Sequence, residues 1–331
     1  MERKMKALVV SQPNGEFEAQ DISVPTVGPD QILVKIHAAC INPLDTKIRA
    51  GAAAHAKQPL PAVLGLDMAG TVEVVGTDVT DFVVGDEVYG MVGGVGGHQG
   101  TLAEYVVAPA RLLARKSKRL TMLEAAALPL VTITAWEGII DRARVRADQK
   151  VLVHAGAGGV GQIAVQLAKA AGAEVFATVS SEKQHIVAAL GATPIDYRSS
   201  SPQEYVEKHT GGIGFDIAYD TIGGSALDAS FVSIKNYTGH VVSCLGWGNH
   251  ALAPLSFRGA TYSGVFTLLP LLTGKGQEHH GEILREATKL SDDGKLKPFL
   301  AKEIFTPQGI ERAFDAVSSG VTGKVVVNMI E

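Results

Sequence analysis

The sequence predicts a two-domain α/β protein, a β-rich domain followed by a doubly wound parallel sheet. Three observations predict it: a length of 331 residues, a change of hydrophobic rhythm near residue 150, and a glycine-rich turn at the first strand–helix junction after that change. A chain of this length exceeds one ordinary core, so two domains are the starting expectation. With 46% hydrophobic and 19% charged residues it has ample apolar surface to bury and is not a disordered segment, and its 37 glycines imply many tight turns.

From residue 5 to about 107, short β-rich runs at 6–10, 31–38, 70–76, 86–89 and 102–107 are split by Gly, Pro and Asp, the punctuation of a mostly antiparallel β domain. From about Lys150 the order becomes apolar strand (151–154), glycine turn, alanine-rich helix (159–171), strand (175–179) and helix (182–190), which is βαβ punctuation. Strands at 215–219 and 240–245 with a helix at 225–235 carry the parallel sheet to about residue 270. An amphipathic helix is expected at 278–291. A strand at 302–305, a helix at 307–318 and a strand at 324–329 fit either domain, and 52–56 and 199–201 read as surface loops.

Composition narrows the function. A formal charge of -4, with its carriers interspersed, does not suit nucleic acid or an anionic membrane surface. Cys40 and Cys244 are the two cysteines, too few for a disulfide framework or a four-cysteine zinc lobe. The apolar run 7–10 is short for a signal peptide, and Pro129, Thr132, Thr134 and Glu137 interrupt the stretch 125–140, so neither export nor a membrane span is expected and a cytoplasmic protein is.

The chemistry begins at His154-Ala-Gly-Ala-Gly-Gly-Val-Gly161. Gly156, Gly158 and Gly161 satisfy G-x-G-x-x-G, a weak pattern alone, but here it follows a strand, opens a helix and precedes a second strand, the context that dinucleotide binding requires. Gly156 is expected to permit the turn, Gly158 to let the backbone approach a pyrophosphate, and Gly161 to let helix and strand pack closely. Ala157, Gly159 and Val160 complete the cradle at the positive helix end. The alternative is a tight turn with no ligand.

After the second strand come Ser180, Ser181, Glu182 and Lys183, with no carboxylate at the strand end to bind an adenosine ribose. Two hydroxyls and an ammonium suit a 2′-phosphate, so NADPH is expected over NADH. The serines also fit simple helix capping, and Glu182 opposes the phosphate reading.

The segments Cys40-Ile-Asn-Pro-Leu-Asp45, Val63-Leu-Gly-Leu-Asp-Met-Ala-Gly70, Val84-Gly-Asp-Glu-Val-Tyr-Gly90, Gly100-Thr-Leu-Ala-Glu-Tyr-Val106, Leu128-Pro-Leu-Val-Thr-Ile-Thr-Ala-Trp136 and Gly323-Lys-Val-Val-Val327, with the turn, resemble the medium-chain dehydrogenase/reductase superfamily, zinc-free quinone oxidoreductase branch. The resemblance implies a chaperonin-10-like (GroES-like) catalytic domain over 1–125 and 296–331 and a Rossmann domain over 126–295. Where the zinc branch has a metal-binding Cys this chain has Asn42, where it has a His this chain has Leu66, and the third ligand, a Cys, has no counterpart between Cys40 and Cys244. His37, His55 and His98 lack paired ligand spacing, so no zinc is expected.

By the same resemblance, Asn42 and Asp45 line the substrate side of the nicotinamide as catalytic candidates. Thr132 contacts the nicotinamide or its ribose, Tyr197 with Lys183 lies near the 2′-phosphate, and Leu245 belongs to the coenzyme set. Asn42 and Asp45 also fit an Asx turn ahead of a helix primed by Pro43. Tyr89 and Tyr105 also fit core aromatics with a bonded tip, and Cys244 a small buried hydrophobe.

The expected activity is NADPH-dependent hydride transfer to a quinone or α,β-unsaturated carbonyl, the acceptor's oxyanion being met by Asn42, a ribose hydroxyl or water. Two alternatives stay open: an enoyl-thioester reductase, although 48–55 lacks the tyrosine that related branches carry, and an NADPH-binding protein with little turnover. Residues 261–267 lie where relatives extend a sheet across a dimer interface, so a homodimer is expected. Acceptor contacts are expected from the loops 51–61 and 91–100.

Overall fold

A computed structural model describes residues 3–330. Contacts divide the chain into two compact units: residues 1–130 with 268–331, and residues 131–267.

The first unit holds β1 (Lys4–Val10), β2 (Phe17–Ser23), β3 (Gln31–Ile41), β4 (Ala62–Val63), β5 (Asp67–Val75), β6 (Glu87–Met91), β7 (Tyr105–Pro109) and β8 (Leu113–Arg115), with β15 (Val325–Asn328) returning from the far end of the chain. β2, β1 and β4 form a small antiparallel sheet. The larger one runs β15–β3–β5–β6–β8, and the long β3 is shared along one edge, β7 pairing with residues 31–35 and β15 with residues 38–41. β-branched and small apolar residues alternate into its core, where Ile32, Val34, Ile36, Ala38 and Cys40 are each at most 1% exposed.

Three expectations change here. The helix Gln277–Asp292 packs within this unit, not with the coenzyme unit where the span 126–295 puts it, because Gly281 lies against the carbonyl of Arg111 and Tyr89 Oη donates to Leu284 O at 2.6 Å. Residues 302–305 are not a strand: a single bridge, Phe305 to Val327, replaces a ladder. The segment 52–56 is not a plain surface loop either, since it folds into a 3-10 turn, Ala54–Ala56, with Ala53 and Ala56 buried. Tyr89 and Tyr105 are core aromatics with bonded tips, Tyr105 Oη accepting from Arg3 at 2.6 Å.

The second unit is one parallel sheet of β9 (Lys150–Val153), β10 (Glu174–Val179), β11 (Thr193–Asp196), β12 (Ile217–Asp220), β13 (His240–Ser243) and β14 (Thr261–Gly264) in the order β11–β10–β9–β12–β13–β14. The chain walks outward from β9 to β11 and returns on the other side at β12, so the switch point lies between β9 and β12, where ligands bind in doubly wound sheets. β11, which the sequence reading passed over, extends the sheet one strand beyond the adenosine side. A core of Leu152, Phe176, Ile195, Tyr205, Phe215, Phe231 and Val241 holds the helices to the sheet.

Candidate active site

In the first unit, strand register assembles a buried polar cluster. β15, β3 and β5 lie side by side, with Val325 opposite Ile41 and Asp67 opposite Cys40. Beyond the end of β3 comes Asn42, flanked by Lys324 from β15's side and Asp67 from β5's. Lys324 Nζ donates to Asn42 Oδ1, and Asn42 Nδ2 donates to Asp67 Oδ2 at 2.9 Å. Asp67 Oδ1 accepts from Leu130 N at 2.9 Å, and Thr101 Oγ1 donates to the Asp67 carbonyl at 3.0 Å.

Asn42 is the N-cap of the helix Pro43–Arg49 and Asp45 its N3 partner in a capping box, Asp45 Oδ2 accepting from Asn42 N at 2.8 Å. Asn42, Asp45 and Asp67 are 0% exposed and Lys324 5%. Burial pushes Asp45 up to about 7, against hydrogen bonds from Asn42 and Gly65 and the pull of Lys324, and pushes Asp67 up to about 6 against Lys324 and the Asn42 amide. A carboxyl poised near neutrality can hold or release a proton, and an amide with one Nδ2–H uncommitted can donate to an oxyanion. Burial also pushes the Cys40 thiol up to about 12, so it is no nucleophile.

This donor set does not fit zinc. Leu66, where a histidine would be needed, is a fully buried aliphatic, and the Asn42 oxygen already faces an ammonium. Among the described residues no group of three or more His, Cys, Asp or Glu side chains converges. Asp67 and Lys324, which the sequence reading did not single out, are the parts of this cluster that only strand register reveals.

In the second unit the turn after β9 is built by backbone. His154 N donates to Tyr219 O at 2.9 Å and Gly156 N to Thr178 O at 3.0 Å, while Thr178 Oγ1 accepts from Ala155 N at 3.1 Å. The left-handed residue of the turn is Ala155, at φ 55°. Gly156 is glycine because β10 passes against it, a Cβ there lying 2.4 Å from that of Ala177, and Gly161 because a Cβ would lie 2.1 Å from Ala155 O. Gly158 is the N-cap of the helix Gly159–Ala170, and no side chain caps that end. Its first N–H groups, at Gly159 and Val160, are therefore left for an external acceptor beside Ala157, which fits a pyrophosphate.

Two further features fit the same ligand. Thr132, in the helix Pro129–Trp136, is fully buried with Oγ1 lacking any hydrogen-bond partner. At the ends of β12 and β13 the buried Asp220 accepts from Ile222 N and Gly223 N at 3.0 Å and from Ser243 Oγ at 2.7 Å, and Ser243 Oγ in turn accepts from Leu245 N at 3.1 Å. Asp220, absent from the sequence reading, thereby sets the backbone on which Leu245 sits. Burial lowers His154 to about 4, leaving it neutral. Cys244 is held up to about 12, by burial first, and is no nucleophile either.

At the adenosine side, Val179 pairs with Asp196, which brings Ser180 and Tyr197 to neighbouring strand ends. Ser181 Oγ donates to Asp196 Oδ2 at 2.7 Å, so β11 supplies a carboxylate that β10 lacks. Glu182, the residue that opposed the phosphate reading, pairs with Arg198 at 3.2 Å, and Arg198 lies over the Tyr197 ring at 5.7 Å. Tyr197 is 55% exposed and Lys183 half-buried. Lys183 and Arg198 thus balance Glu182 and Asp196.

Residues 28–118 match the family described as alcohol dehydrogenase GroES-like domain, and residues 159–273 the one described as zinc-binding dehydrogenase. An NADPH-dependent alkenal/one oxidoreductase, chloroplastic, of Arabidopsis thaliana is 36% identical over 98% of this chain and 80% of its own length. Among solved structures, an alcohol dehydrogenase superfamily protein from Novosphingobium aromaticivorans is 53% identical with a TM-score of 0.97, over 98% of this chain and 100% of that one. A quinone oxidoreductase from Coxiella burnetii is 30% identical with a TM-score of 0.84, over 99% and 100%. The chain belongs to the medium-chain dehydrogenase/reductase superfamily, in its quinone oxidoreductase branch.

Proposed function

We propose that this chain is an oxidoreductase that transfers hydride from NADPH to a quinone or α,β-unsaturated carbonyl without zinc. The observation that carries the reading is the Lys324–Asn42–Asp67 chain of hydrogen bonds, built on Asn42, where the resemblance puts a metal-binding Cys in the zinc branch. With no Lewis acid to polarise a simple carbonyl, the substrate must be one whose conjugation disperses the charge that hydride addition creates. The bound coenzyme supplies the hydride. The quinone- and alkenal-named relatives support the same acceptor class.

The chain's own residues bind and orient. The amides of Gly159 and Val160, with Gly156, Ala157, Gly158 and Gly161 around them, would hold the pyrophosphate, Thr132 Oγ1 would meet the nicotinamide or its ribose, and Leu245 would complete the coenzyme set. Ser180, Lys183 and Tyr197 recognise the 2′-phosphate, with Ser181 oriented by Asp196. Asn42 donates to the acceptor's oxyanion, and Asp45 holds the proton that neutralises it.

No helix among the described residues is long and apolar enough to cross a membrane. A cytoplasmic homodimer is part of the proposal: β14 is an edge strand whose Tyr262 is 37% exposed, and such an edge suits pairing with a second copy. Light scattering that gives the mass of one chain would overturn the dimer.

Fluorescence titration with NADPH and NADH, followed by a panel of quinones, enones and enoyl thioesters, tests the whole. NADPH is expected to bind more tightly and to be consumed with quinones or enones. Consumption with neither class defeats the proposal.

A further inference from the structure

Lys324 has no part in the hydride step as written, yet it is the most deeply buried charged amine of the cluster and is pinned at both sides. Its N–H donates to Phe299 O at 2.8 Å, and its carbonyl accepts from Ala301 N at 2.9 Å. A buried ammonium is costly and persists only where its partners offset the lost hydration. Its side-chain partners are the Asn42 amide oxygen and the Cys40 thiol, not a carboxylate.

That choice has a geometric consequence. An ammonium only donates and a carboxylate only accepts, so an amide between them has one orientation, Oδ1 toward Lys324 and Nδ2 toward Asp67. Without the ammonium the Oδ1 end loses its donor, and Asp67 alone is left to favour that orientation. One of the two Nδ2 hydrogens goes to Asp67. The direction of the other is set only while the amide cannot turn over.

We propose that Lys324 is a positioning residue: delivered by the register of β15 on β3, it locks the Asn42 amide so that the second Nδ2–H stays aimed at the acceptor's oxyanion. The role in turnover rests on the reading that Asn42 faces the acceptor; the lock itself does not.

The competing account is that Lys324 merely balances the buried charge of Asp67. Lys324→Gln keeps a donor for Asn42 Oδ1 without the charge, Lys324→Met keeps neither, and both leave Asp67 in place to hold Asn42 Nδ2. Locking predicts that both variants lower the melting temperature while kcat falls by roughly a hundredfold, with KM little changed, in Lys324→Met alone, since small misplacements of a catalytic group cost that much. Charge balance alone predicts that the two variants lose kcat alike, which overturns the proposal. If Lys324→Met does not fold, a roughly hundredfold loss of kcat in folded Lys324→Gln overturns it. A readout free of turnover is the 15N-resolved side-chain amide of Asn42. Its hydrogens are expected to exchange with solvent more slowly in the wild type than in Lys324→Met; an amide signal unchanged by the substitution overturns the proposal even where no acceptor is turned over.

Discussion

The two units treat buried polar groups in opposite ways. In the first, Asn42, Asp67 and Lys324 are tied to one another, and the cluster is closed on itself apart from one Asn42 Nδ2–H and Asp45 Oδ1. In the second, the uncapped helix at Gly158 and the orphaned hydroxyl of Thr132 leave backbone and side-chain groups open. Unsatisfied buried polar groups cost stability, and a ligand that pairs them recovers that cost. A closed cluster instead fixes direction: it holds few groups free, each aimed by its neighbours. Binding and aiming are thus divided between two differently built sites.

Breaking the open site has the largest expected effect. Gly161→Val puts a side chain 2.1 Å or less from Ala155 O and must displace the turn. NADPH affinity should fall by on the order of a thousandfold by calorimetry, about 4 kcal/mol, with the first unit's cluster untouched. Binding within a factor of two of wild type would mean that the turn is not the coenzyme cradle.

The closed site should respond to pH instead. Asp45 is raised from 3.8 to about 7. Its contribution to stability is therefore fully present below the unfolded value and is lost as pH rises through the folded one. Asp45→Asn removes the titration, so the stability difference between variant and wild type should grow in the variant's favour from about pH 4 to 7 and then level off, reaching ~2–4 kcal/mol. Denaturant melts at intervals across that window check it; a difference independent of pH would show that Asp45 does not titrate there.

The smallest effect is the most diagnostic, because its two parts have opposite signs. Thr132→Val removes an orphaned hydroxyl without changing shape. The free protein should gain up to ~1 kcal/mol, while NADPH affinity falls about fivefold to tenfold. Loss of both would make Thr132 a structural residue.

What the sequence disclosed follows from how local each signal is. The turn at 154–161 is contiguous and its context is periodic, so the parallel sheet was legible in it, with the strand–turn–helix junction proposed as the coenzyme cradle. The strands of the first domain were legible from punctuation. Lys324 and Asp67 were not, since their meeting at Asn42 depends on the register of β15, β3 and β5, and chain distance hides it. Asp196 and Arg198 were missed with β11, a four-residue strand whose Thr-Pro-Ile-Asp carries little β pattern. The strand at 302–305 was over-read from Ile304 and Phe305, where the chain makes one bridge. Left-handed geometry at Ala155 runs against the rule that glycine takes such positions, and only the fold around Thr178 accounts for it.

The central claim is that Lys324, Asn42 and Asp67 make a metal unnecessary. It is tested most directly by treating the protein with a strong chelator, measuring bound metal by mass spectrometry, and following NADPH oxidation with a quinone or enone before and after. The account predicts less than about one zinc per ten chains and an unchanged rate, because no step passes through a metal. Activity that is lost on chelation and restored by zinc would contradict it.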